Sequence, residues 1–129
     1  MLHEDRFRLD DFELYQAVRE FRINVYRLLR QLPVEEKDAL SRQMRRAVLS
    51  VTNNIAEGHG RWQWQENSRF CRIARGSLDE VLDDLNVCLD EGYGETEQVF
   101  KLKLVAAQLI ARIDGYIAYL QRSRQGATN

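Results

Sequence analysis

Ser50-Val51-Thr52-Asn53-Asn54-Ile55-Ala56-Glu57-Gly58-His59-Gly60-Arg61 is the segment around which the rest of the chain is arranged. Val51 and Ile55 continue an apolar seam from Leu40, Met44, Ala47 and Val48 at helical spacing. Ser50, Asn54, Glu57 and Arg61 recur at steps of four, three and four, so they form a polar line along the same helix. Gly58 and Gly60 are the expected stop.

Working outward, Leu14, Val18, Phe21, Val25, Leu28 and Leu32 alternate steps of four and three, which is the seam of a helix of about six turns. Asp10 or Asp11 is its expected N-cap, and Met1 to Leu9 read as a loosely held arm. Pro33 disfavours helical geometry in the residue before it, so the first helix should end at Leu32 and a second should start nearby, with Glu35, Glu36 and Asp38 at its positive end. Downstream of the central segment, Phe70, Ile73, Ala74, Ser77, Val81, Leu85 and Cys88 form the inward face of a third helix. Gly76 within it predicts a close helix contact, which would offset the cost of about 1 kcal/mol for glycine in a helix interior. Gly92, Tyr93 and Gly94 stop that helix. Leu102, Ala106, Leu109, Ile113, Tyr116 and Leu120 then give a fourth, and the polar tail from Arg122 reads as disordered.

The predicted helices cover about 11–32, 35–58, 65–91 and 95–122 of a single domain, 1–129. One proline, seven glycines and no alternating β-branched runs point to an all-α fold, and 44% hydrophobic residues suffice to fill its core. Short connections predict an antiparallel up-and-down four-helix bundle. Tyr15, Ile23, Tyr26 and Leu29 on the first helix and Leu104, Ile110 and Ile117 on the fourth lie off the main seams, a surplus of apolar surface that suggests a subunit interface.

The charge pattern is uneven. A formal net charge of −1 argues against bulk attraction to nucleic acid, yet 42–76 holds seven arginines against Glu57 and Glu66, while 79–97 holds eight acids and no base. Arg42, Arg45, Arg46, Arg69, Arg72 and Arg75 are the candidate nucleic-acid-binding residues, because arginines at three- and four-residue spacing suit RNA phosphates. An ordinary solvated face, or pairing with the acids across subunits, accounts for them equally well. Trp62 and Trp64, on the short link after Arg61, read as covering the bundle end in preference to a stacking platform for bases.

Little in the chain suggests catalysis. His3 and His59 are the sole histidines, and His59 between two glycines reads as a turn residue before a base. No HExxH, no cysteine pair at ligand spacing and no Glu-x-x-His is present, so neither metal nor cofactor is expected. Gly58-His59-Gly60-Arg61 lacks the Gly-Lys-Ser/Thr end of a phosphate loop and follows a helix. Cys71 and Cys88, seventeen positions apart on one helix, would lie roughly 25 Å apart and read as buried thiols. The plausible site is therefore the polar cluster Asn54, Glu57, Arg61, Glu66 and Arg69, where Glu57 with Arg69 or Glu66 with Arg61 would pair across the turn. A structural network fixing helix register explains that cluster more simply than a ligand pocket.

Leu32-Pro33 with Glu36, Gln43-Met44-Arg45-Arg46-Ala47, Asn54-Ile55-Ala56-Glu57-Gly58 with Gly60-Arg61, Glu66 with Arg69-Phe70, and Ala74-Arg75-Gly76-Ser77-Leu78-Asp79-Glu80 occur here in one order. That set resembles the small four-helix-bundle proteins encoded within intervening sequences of bacterial 23S rRNA genes. The chain departs from the family at Thr52-Asn53, where proline and serine are common, and at Trp62-Gln63-Trp64, where smaller polar residues are usual. The resemblance implies a homopentamer, in a family with no established catalytic activity. Similar bundles serve as basic accessory subunits of diversity-generating retroelements, binding a reverse transcriptase and nucleic acid.

The resulting expectation is a cytoplasmic, non-enzymatic oligomeric scaffold or adaptor whose partners are copies of itself and structured RNA or an RNA-handling protein. The alternative is a homo-oligomeric module that binds a protein or small ligand and has no nucleic-acid role. Met1 to Asp10 show no secretory apolar region and no segment approaches a membrane span, so no membrane association is expected.

Overall fold

The computed structural model describes residues 8–61 and 63–128, which are helical apart from short connections and contain no strand. The helical segments are α1 (Arg8–Asp11), α2 (Glu13–Leu29), α3 (Val34–Lys37), α4 (Leu40–His59), α5 (Trp64–Glu91) and α6 (Thr96–Thr128). Of the arm predicted at Met1 to Leu9, residues 1–7 lie outside the described residues, as does the predicted role of Trp62, while Arg8 and Leu9 belong to α1.

The apolar seams do what their spacing requires. Leu14, Val18, Phe21, Val25 and Leu28 of α2, Met44, Val48, Val51 and Ile55 of α4, Ala74, Leu78, Val81 and Leu85 of α5, and Ala106, Leu109 and Ile113 of α6 are all buried in one core. Helix α2 packs on α4 and α6, and α5 packs on the same two, so the four longer helices close a ring around that core. The α4–α5 pairing is antiparallel: Gly58 lies beside Asn67, Ser50 opposite Ser77 and Gln43 opposite Asp84. Helices α2 and α4 are antiparallel too, with Phe12 stacked on His59, Arg22 bonded to Thr52, and Tyr26 under Arg45.

Several local expectations are corrected. The N-cap of α2 is Phe12, in extended conformation and without a side-chain cap, in place of Asp10 or Asp11, which belong to the extra turn α1. Helix α2 stops at Leu29, where Arg30, Gln31 and Leu32 fold into tight turns that still bury Leu32 ahead of Pro33. The expected helix at 35–58 is two segments, broken at Asp38 and Ala39; Val34 in the first is 80% exposed, so α3 lacks the apolar anchor that holds α4 to the core. Helix α5 ends as expected: Gly92 adopts φ +74°, its N–H bonds Leu89 O at 3.3 Å and that of Tyr93 bonds Cys88 O at 2.8 Å, a Schellman arrangement. Helix α6 runs on to Thr128, through the stretch expected to be a disordered tail.

Two inward assignments on α5 also change. Ile73 is 41% exposed and Phe70 is half-buried, while Cys71 occupies the core. No atom lies within 4 Å of a Cβ built at Gly76, so the close helix contact predicted there does not exist. It exists at Gly58, inside α4, where a Cβ would come within 2.7 Å of Asn67 Oδ1.

Candidate functional site

The polar line of α4 points largely at its neighbour. Ser50 Oγ shares a hydrogen bond of 2.8 Å with Ser77 Oγ, and Asn54 Nδ2 donates to Ser50 O at 2.8 Å and to Ser50 Oγ at 3.0 Å. The Ser50–Ser77 bond ties α4 to α5 in one register, while the two Asn54 bonds lie within α4 and hold its amide nitrogen against Ser50. Nearer the turn, Arg61 lies 3.6 Å from Glu57 and 3.9 Å from Glu66, among side chains that are all about half exposed, so these pairs are screened and weak. The expected Glu66–Arg61 pair is therefore present in loose form. Glu57 and Arg69 form no ion pair among the described residues; Arg69 and Arg61 instead sit over the Phe70 ring at 4.8 and 5.3 Å.

A second junction escaped the sequence reading. Asn67, buried at the start of α5, donates through Nδ2 to the Tyr116 hydroxyl of α6 at 3.0 Å and accepts from Cys71 Sγ at 3.5 Å. Burial raises the Tyr116 pKa, partly opposed by the Asn67 bond, and pushes Cys71 up to about 11, partly opposed by Arg72. Cys88 is likewise raised to about 11 by burial and then by Asp84, so both thiols stay protonated and unreactive at neutral pH. Asp84 is itself buried: its Oδ1 accepts from Gln43 Nε2 at 2.6 Å while Oδ2 has no partner among the described residues. Its place within an acidic run on α5 hid this, because runs of charge ordinarily read as a solvated face.

The six candidate arginines do not share one environment. Arg45 lies over the Tyr26 ring at 4.6 Å with Nε 3.4 Å from Ser41 Oγ, and Arg75 bonds Asp114 of α6 at 2.7 Å with Asp79 at 3.6 Å. Arg42, Arg46 and Arg72 are exposed and make no ion pair among the described side chains; Arg69 is exposed over Phe70. Because α4 and α5 are antiparallel, Arg42 and Arg46 lie level with the acidic part of α5. Arg46 lies level with Val81, so it and Arg72 are separated by roughly 14 Å along the axis, taking nine residues at 1.5 Å each.

At the end of the fold where α4 finishes, Phe12 stacks on His59 with centroids 4.5 Å apart and planes 16° apart, and Tyr116 tilts against Phe12 at 5.2 Å. Beside this stack opens a cavity of about 680 Å³ lined by Arg8, Asp11, Phe12, His59, Gly60 and Arg61. Arg8 and Phe12 carried no signal in sequence and Asp11 only that of an N-cap, since they lie at the break between α1 and α2 where apolar periodicity has not begun. Among the described residues, no group of three or more histidines, cysteines or acids is placed to hold a metal, and no helix is long and apolar enough to cross a membrane.

No curated protein matches the chain. Among solved structures it is similar to a protein with unknown function from the S23 ribosomal protein family of Bacteroides thetaiotaomicron. The two superpose with a TM-score of 0.70 at 20% identity, over 81% of this chain and 97% of the other, a likeness of fold. A family model for the 23S rRNA-intervening sequence proteins matches residues 10–115, and on that match the chain belongs to the 23S rRNA-intervening sequence protein family.

Proposed function

We propose that the protein is a non-enzymatic scaffold or adaptor of the cytoplasm, an antiparallel up-and-down four-helix bundle that assembles with copies of itself and engages structured RNA or an RNA-handling protein. The observation that carries the RNA reading is the set of exposed guanidiniums, Arg42, Arg46, Arg69 and Arg72, which no carboxylate neutralises among the described side chains. Guanidiniums free to fork onto phosphates suit a backbone-reading surface better than those committed to Tyr26 or Asp114. Self-assembly is supported by Phe100 and Leu104, 54% and 61% exposed one helical turn apart on α6, with Val105 adjacent. Five copies is the number that the family resemblance implies.

The test is a fluorescence-anisotropy titration of structured 23S rRNA fragments at low and physiological salt, with the assembly mass recorded by light scattering. Binding that falls steeply with salt and is lost in the Arg46→Gln/Arg69→Gln/Arg72→Gln variant supports the reading. Equal binding by the variant, or none at either salt, removes RNA from it. A second reading, a self-assembling module that binds a small ligand or protein and has no nucleic-acid role, is favoured by one observation, the cavity beside Gly60 and Arg61.

A further inference from the structure

The cavity at the end of α4 combines three chemistries, guanidinium, aromatic ring and carboxylate. Its guanidiniums come from separate elements, Arg8 on α1 and Arg61 just past α4, and both are exposed. Arg61 is held loosely, at 3.6 Å from Glu57 and 3.9 Å from Glu66, both distances beyond a good hydrogen bond, and 5.3 Å from the centre of the Phe70 ring. A phosphate, which accepts two parallel N–H bonds from a guanidinium, is a stronger partner than either contact. The aromatic part of the wall is the Phe12–His59 stack, buttressed from behind by Tyr116, which offers an ordered apolar surface for a flat ring. Asp11 supplies the third element, a carboxylate that accepts from hydroxyl groups and repels a second phosphate. The volume, about 680 Å³, lies within the range of small-molecule sites.

We infer that this cavity binds a nucleoside monophosphate, its phosphate on Arg8 and Arg61, its ribose hydroxyls on Asp11 and its base against the Phe12–His59 pair. The same chemistry is offered by a free ribonucleotide and by an unpaired, phosphate-flanked residue of an RNA loop. The site is separate from the Arg42 to Arg72 set, and it stands for the free nucleotide even if the RNA reading fails.

The experiment is calorimetric titration of the intact protein with AMP, GMP, CMP and UMP, and in parallel with adenosine, inorganic phosphate, 2′-deoxy-AMP and a ten-residue single-stranded RNA. At least one ribonucleotide should bind, with adenosine, phosphate and the deoxynucleotide each weaker. Arg8→Gln/Arg61→Gln should weaken nucleotide binding by about tenfold or more, the scale of one lost charge-assisted contact. Glu57→Gln should tighten it by releasing Arg61. Circular dichroism confirms that the variants fold, and since these side chains are exposed the fold should be unaffected. Saturation by the mononucleotide without binding of the RNA assigns the site to free nucleotides and counts against the RNA reading alone. Nucleotide binding that is unchanged in the Arg8→Gln/Arg61→Gln variant overturns this site and leaves the RNA reading intact. Absence of nucleotide binding at millimolar concentration also overturns it.

Discussion

Gly58 of α4 lies so close to Asn67 of α5 that a methyl group at position 58 would sit 2.7 Å from Asn67 Oδ1 and 3.1 Å from its carbonyl oxygen. Asn67 is bound in turn to Tyr116 of α6, so one glycine sets the approach of three helices. Gly58→Ala therefore opposes two effects, a gain of about 1 kcal/mol in helix propensity and an overpacking cost of about 1–3 kcal/mol. Net destabilisation of up to about 2 kcal/mol is expected in urea unfolding. A variant more stable than the parent would show that Asn67 moves aside freely.

Asp84 should give the protein a stability that falls as pH rises from acid. Burial raises its folded pKa first, the Gln43 bond lowers it in part, and Asp83 and Glu80 raise it further. Below the ordinary carboxylate range both states carry the proton and there is no penalty. Between that range and the raised folded pKa the unfolded chain releases its proton first, so stability declines with pH and is level above the folded pKa. Asp84→Asn removes this decline while keeping an acceptor for Gln43. The stability difference between variant and parent should move in the variant's favour from acid to neutral pH; a difference independent of pH would sink the assignment.

Ser50 and Ser77 should behave as one unit. Each alanine substitution leaves the other hydroxyl short of its partner and should cost about 1 kcal/mol. In a double-mutant cycle Ser50→Ala/Ser77→Ala should cost less than the two separate changes together, with a coupling of at least about 0.5 kcal/mol. Strict additivity would remove the hydrogen bond from any account of helix register.

Arg75→Gln separates structure from recognition. The Arg75–Asp114 pair is short at 2.7 Å but about half exposed, so its loss should cost only about 0.5 kcal/mol and less at high salt. RNA affinity should be unchanged by this substitution and reduced by Arg72→Gln. Equal losses from both would mean that the surface acts through bulk charge.

Phe100 and Leu104 should govern the assembly. Leu104→Glu with Phe100→Gln removes the exposed apolar pair from α6 without touching the core. Light scattering should report a drop to the monomer mass. An unchanged mass would put the subunit contact on another face.

The long helices were legible in the chain because burial of one stripe on a helix writes a repeat of three and four into the sequence, and Leu14 to Leu28 or Met44 to Ile55 satisfy it without interruption. Gly92 was legible for a similarly local reason, since a left-handed residue at a helix end asks for glycine. The break at Asp38 and Ala39 was not, because no residue there forbids a helix; the stop at Leu29 lies one turn before Pro33, whose ring would clash with the Leu29 carbonyl in a continuing helix. The same limit governs the site. That Ser50 and Asn54 lie in line and bond to each other is a property of one helix, whereas the bond of Ser50 to Ser77 depends on how far α4 and α5 slide past one another. Asn67 with Gly58, Arg75 with Asp114, and Phe12 with His59 join residues distant along the chain, and spacing carries no information about such pairs. Local periodicity determined the long helices and most of their inward faces, though not Ile73 or Cys71 on α5; the tertiary structure alone decided which arginines remain free and where a cavity opens, because both depend on contacts between helices that no single helix encodes.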